Sequence, residues 1–171
     1  MASEELRRLF VHELNLARNS EVAGNHMLAD IAVHARSREL RRVLDEGAHS
    51  RHEQLENLDA CAQAAGISSG RRVTEPVIEA LRGRFQEFLG MQPSPDVLDM
   101  FVLGTSLRVT VLAIAAYDEL IELAEILGQL ACVRRLRMNL VSKEEYAYRL
   151  RRTGYDLGYQ IVGDGALVAR A

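Results

Sequence analysis

The stretch Ser106–Leu123, SLRVTVLAIAAYDELIEL, decides the fold. It has the length and spacing of a core helix in a four-helix bundle. Between Thr105 and Tyr117 it offers no carboxylate and no imidazole, and its middle reads Thr110, Val111, Leu112, Ala113. Asp118, Glu119 and Glu122 follow one to two turns later and read as an exposed acidic face. Ser94-Pro95-Asp96 opens this helix and Gly128 closes it, so it spans about Pro95 to Leu127.

Working outward, a tight turn after Gly128 leads to a helix over about residues 129–152, striped by Ala131, Leu136, Leu140, Ala147 and Leu150. At the other end of the chain, Ser3 followed by Glu4 and Glu5 starts a helix over residues 3–33. Its stripe is Leu6, Leu9, Phe10, Leu14, Ala17, Gly24, Leu28 and Ile31, interrupted by Glu21 on the same side. Ser37 caps a second helix that runs to Ala64 and closes at Gly66. ISSGRRVTEP reads as a loop, and Thr74 and Pro76 start a short helix over about 75–89 with Val77, Leu81, Phe85 and Phe88 on one face. Four long helices, A to D, with short A–B and C–D turns and a longer B–C link describe one architecture. It is an all-α ferritin-like four-helix bundle with a short crossover helix between helices B and C. The bundle is expected over residues 1–154. Gly154, Gly158, Gly163 and Gly165 mark 155–171 as a flexible or extended tail.

Composition bounds the function. The chain has 171 residues, 48% of them hydrophobic, enough for one packed core. Its net charge of −3, with both signs interspersed, speaks against nucleic acid. Of 21 basic residues all but Lys143 are arginine. Cys61 and Cys132 lack the CxxC spacing of a zinc site and read as free thiols in a reducing cytoplasm. No run of 18 apolar residues is present, so no membrane span is expected.

Several residues carry candidate chemistry. Glu46 and His49 form ExxH, and with His52 and Glu53 they could hold one metal ion. Set against this is a polar helix face in solvent, laced by pairs such as His49 with Glu53. Glu21 on an apolar stripe needs a partner, because an acid buried alone costs several kcal/mol. The candidates are Arg51, Arg108 and Lys143; the alternative puts Glu21 at the stripe's edge. Tyr117, Tyr146 and Tyr148 read as core-edge tyrosines with outward hydroxyls. Arg134, Arg135, Arg137, Arg149, Arg151 and Arg152 make helix D basic at both ends. They form a solvated face, with a partner-binding face as the alternative.

LFVHELNLARNSEVAGNHML, SRELRRVLDEGAHSRHEQLENLDACAQAAG, SLRVTVLAIAAYDELIELAEILG and LVSKEEYAYRL resemble the four helices of the YciE/YciF family of bacterial ferritin-like proteins. The resemblance covers about residues 6–153 and implies a homodimer and two metal ions held by acids and ExxH-like pairs. Glu21 stands in the place of the family's helix-A acid. Elsewhere the family's positions fall on Ser50 and Gln54, on Thr110 and Ala113, and near Ser142 and Lys143, with Glu144 one position away. This implies a core ion pair, Glu21 with Lys143, where the family has metal. The expected function is a structural, stress-related or partner-binding module in the cytoplasm, without an intact di-metal centre, a cofactor or an enzymatic activity. One alternative is an iron- or manganese-binding protein or oxidase with a displaced site built from Glu21, Glu46, His49, His52 and Glu53. Another is cargo or an accessory subunit. GDGALVARA slightly resembles the docking peptides of ferritin-like cargo.

Overall fold

The computed structural model describes residues 2–66 and 75–168, all helices and their connections. α1 (Ala2–Ala32) is followed by α2 (Arg38–His49), α3 (Arg51–Ala64), α4 (Pro76–Gly90), α5 (Pro95–Ile126) and α6 (Leu130–Val168). α1 with α2–α3 makes one hairpin and α5 with α6 the other. α3 packs on α1 and α6, and α4 lies across α1 and α5. The fold is therefore an all-α bundle with one crossover helix.

Local chemistry sets the boundaries. The Ser37 hydroxyl accepts from Leu40 N–H at 3.3 Å and starts α2. A second cap comes from far along the chain. The buried Asp99 of α5 accepts from Arg36 N–H at 2.7 Å and from Ser37 N–H at 2.6 Å. α4 starts with Pro76 in its first turn and the Glu75 carboxylate accepting from Val77 N–H at 3.3 Å. Thr74, the expected cap, lies outside the described residues. Gly128, at φ +69°, makes the α5–α6 turn, and Gln129 N–H closes it onto Ala124 O at 2.8 Å.

Three expectations are corrected. Helix B is divided at Ser50, whose ψ of −7° departs from helical values. There Ser50 N–H turns to Ala48 O, and His49 Nδ1 donates to Asp45 O at 2.7 Å. Leu9 is 43% exposed and lies off the core. α6 does not end near residue 152 but continues to Val168, so 155–168 are helix rather than extended chain. Among the glycines there, Gly154 serves packing: a Cβ on it would lie 3.1 Å from Leu103, so its absence lets α6 close on α5. Residues 169–171, the end of the proposed docking peptide, lie outside the described residues.

The core divides into two apolar halves. One contains Met27, Leu40, Leu44, Phe85, Val102 and Leu150. The other contains Phe10, Leu14, Leu58, Leu120 and Leu136. The crossover helix seals the first half through Phe85, which is buried, and Phe88, stacked on Phe101 at a centroid distance of 3.9 Å. α5 is long and apolar enough to cross a membrane by length and composition. In the fold it is the core helix, packed on α1, α4 and α6, with Asp99, Thr105, Ser106 and Thr110 buried against protein.

Candidate functional site

Between the apolar halves lies a polar layer, and Glu21 is its centre. α1 carries Glu21 inward because residue 21 falls on the same side as Leu14, Ala17 and Leu28. α6 brings Lys143 to it, with Nζ 2.9 Å from Glu21 Oε2. Both side chains are buried, at 4% and 8% exposure, so this pair is not screened by solvent. The other oxygen, Oε1, accepts from the Tyr117 hydroxyl at 2.7 Å. Asn139 Nδ2 donates to Tyr117 Oη at 3.2 Å and to Gln54 O at 2.9 Å. Asn57 Nδ2 donates to Asn139 Oδ1 at 2.8 Å, and Arg135 donates to Asn57 Oδ1 at 3.2 Å. Gln54 Nε2 reaches Ser142 Oγ at 3.0 Å. The network thus joins α1, α3, α5 and α6.

Its electrostatics follow from burial. Desolvation first, then the charge and hydrogen bond of Glu21, push the Tyr117 phenol far above its usual range, so it stays a donor. Desolvation pulls Arg51 down, while Tyr146, Glu21 and Asp45 push it up. Burial raises Tyr146 to about 12, against the charges of Arg51 and Arg149. These positions correct the reading of outward hydroxyls: Tyr117 and Tyr146 are 1% and 5% exposed, and Tyr148 is 65% exposed. Tyr117 can turn inward because Glu21 and Asn139 satisfy its oxygen.

The layer is reached from outside. A cleft of about 240 Å³ between α1 and α5, walled by Ala17, Gly24, Ala113 and Ala116, opens onto Glu21 and Lys143. On α5 at this level, Thr110 donates back to Ser106 O at 2.8 Å.

The remaining candidates do not join this site. Glu46 pairs with Arg42 at 4.0 Å and Arg149 at 3.7 Å. His49 is exposed and bonded to its own helix. His52 is 87% exposed and 3.2 Å from Glu56, and Glu53 faces solvent. Among the described residues no three of His, Cys, Asp and Glu gather so as to hold a metal ion. Arg108 is exposed. Sequence reasoning missed Asn139 and Asn57, while Gln54 was reached only through the family resemblance. The signal was periodicity: Asn139 falls three after Leu136 and four before Lys143. The site ties four helices together.

The fold and this layer define a class first, that of all-α bundles built from two hairpins and a crossover. The chain belongs to the family described as a domain of unknown function, DUF892, whose model matches residues 5–156. Solved structures agree. The Escherichia coli stress protein YciF aligns at TM-score 0.82 with 20% identity, over 89% of this chain and 96% of that one. YcfI of Rhodopseudomonas palustris, a proposed structural protein, aligns at TM-score 0.79 with 27% identity, over 85% and 92%. A Xanthomonas campestris protein aligns at 0.74 with 17% identity, over 95% and 99%. Among curated proteins none matches.

Proposed function

We propose that this chain is a ferritin-like bundle in which a protein ion pair stands where a di-metal centre would sit. Its role is that of a structural, stress-related scaffold rather than an oxidase. The observation that carries this reading is the contact of Lys143 Nζ with Glu21 Oε2. Two metal ions need several carboxylates and imidazoles aimed inward from four helices. The residues here do not fit that need. The layer holds one carboxylate, already neutralised by an ammonium, with Thr110 and Ala113 on α5 and Ser142 on α6 at the neighbouring positions. The descriptions of YciF as a stress protein and of YcfI as a proposed structural protein support the same role.

Metal content after anaerobic reconstitution with iron, manganese and zinc tests the proposal. Less than about a tenth of an equivalent is expected, and roughly one or two equivalents overturn it, since a built site retains its metal through purification.

As a scaffold the chain pairs with a second copy through the outer side of α6. Met138, Val141, Tyr148, Tyr155, Tyr159 and Val162 are all more than half exposed. With Glu145 and Arg152 filling the gaps, they follow the alternating three-and-four spacing of a helix-pairing seam. An antiparallel partner sets Tyr148 against Arg152 and Glu145 against Tyr155, giving a cation–π contact and a hydrogen bond on each side. Sedimentation should show a dimer that Tyr155→Glu dissociates. A monomeric wild-type chain sinks this part.

A further inference from the structure

Cys61 and Cys132 are buried free thiols that meet across α3 and α6. Cys61 Sγ lies 3.8 Å from Cys132 O, and Cys132 Sγ lies 3.9 Å from Cys61 O. Each sulfur thus reaches the other cysteine's backbone, so the two residues are direct neighbours across α3 and α6, as the partners of a disulfide must be. Both lie near one end of the bundle. Cys61 precedes the end of α3 at Ala64, and Cys132 is in the first turn of α6, which starts at Leu130.

We propose that Cys61 and Cys132 form a peroxide-reactive dithiol that closes to an intrachain disulfide, tying the end of α3 to the start of α6. The reaction balances with hydrogen peroxide as oxidant. The Cys132 thiolate attacks one peroxide oxygen, the O–O bond breaks, and hydroxide leaves to take up the thiol's proton as water. Cys61 Sγ then attacks the Cys132 sulfenic sulfur. The S–O bond breaks, and the departing hydroxide takes the Cys61 proton as a second water. Two thiols are oxidised, and one peroxide is reduced to two waters.

The order of attack follows from position. The first turn of a helix favours an anion, and Arg135 sits three residues on. The Cys132 thiol is pulled down to about 7, first by the neighbouring Cys61 thiol, with desolvation opposing and Arg135 assisting. The Cys61 thiol is pushed up by its Cys132 neighbour and by burial. Access comes through the helix ends, which open locally more readily than a bundle's middle. A hollow of about 150 Å³ at this end is lined by Phe10, Leu127, Ala65, four residues after Cys61, and Gln129, three before Cys132.

The test treats the full-length reduced chain with a small excess of hydrogen peroxide, followed by intact-mass measurement and non-reducing peptide mapping. The expected result is loss of two hydrogens, a Cys61–Cys132 peptide that dithiothreitol cleaves, and a thermal midpoint raised by roughly 5–10 °C. Cys61→Ser should then accumulate a dimedone-trapped sulfenic acid at Cys132, and Cys132→Ser should give none at Cys61. An unchanged mass, added oxygen without a crosslink, or a disulfide between chains overturns the proposal. An adduct at Cys61 overturns the assigned order. The wild-type mass and map decide the matter even where a variant fails to fold.

Discussion

The polar layer and the apolar halves beside it are built from the same helices, yet they contribute differently. The halves stabilise by removing carbon from water, a term that depends little on register. Leu58 and Leu136 would remain buried after small shifts. The layer stabilises by geometry, and it works in one register only. Sliding α6 by one turn along α3 would take Asn139 from Gln54 O and Asn57, and Lys143 from Glu21. A buried ion pair adds little net stability, because desolvation offsets its Coulomb attraction, but breaking one member leaves a charge with no partner. The comparison teaches that the apolar halves hold the bundle together and the layer fixes how its helices align.

The sharpest way to break this comparison is Lys143→Met, which strands Glu21. Chemical denaturation should show a loss of about 3–5 kcal/mol. Adding Glu21→Leu to it should recover part of that loss, since no lone buried charge remains, while the Tyr117 hydroxyl loses its acceptor at a cost of about 1–3 kcal/mol. A double variant as weak as the single one would mean that the layer contributes more than alignment. Leu136→Ala probes an apolar half, and about 2–5 kcal/mol should be lost with no second change able to restore it from the layer.

Alkaline pH reaches the apolar half that holds Tyr146 without mutation. Tyr146 is raised to about 12 in the folded chain, above an unfolded value of about 10. As pH rises past 10 the unfolded chain gives up that proton first, so the folded chain holds more protons and its stability falls. The Tyr146 share of the slope should be about 1.4 kcal/mol per pH unit between 10 and 12. Tyr117, pushed further up, adds to the same slope, so Tyr146→Phe should remove only the Tyr146 share, and an equal slope in that variant would assign the effect elsewhere. The smallest effect belongs to the exposed pair of Arg137 and Glu125. Arg137→Ala should change stability by less than about 1 kcal/mol by the same denaturation measurement.

Much of the architecture was legible because helical stripes and terminal signals are local. Ser37, Pro76, Pro95 and Gly128 each mark a boundary where the structure has one. What was not legible depended on partners distant in sequence. Gly47 looks like an ordinary small residue on a stripe, yet a Cβ there would meet the Tyr146 ring at 2.3 Å. The break at Ser50 keeps a right-handed backbone and leaves no glycine or proline as a trace. Gly154 reads as a breaker because its packing value appears only against Leu103. At the site, Glu21 and Lys143 were visible as charges in unusual places. Tyr117 was not, since an inward and an outward tyrosine share one periodicity. Cys61 and Cys132 were seen as two distant thiols, and only the antiparallel pairing of α3 with α6 brings them together.

Asp99 has a consequence for the order of assembly. The backbone groups of Arg36 and Ser37 that it caps belong to the first turn of the chain, more than sixty residues upstream. A ribosome releases that turn well before it releases its cap, so the first hairpin must persist for some seconds with both amides held by water. Its final lock is a long-range contact whose closure is slow to reward. The early hairpin is thus provisional by construction, and it becomes permanent only when α5 arrives.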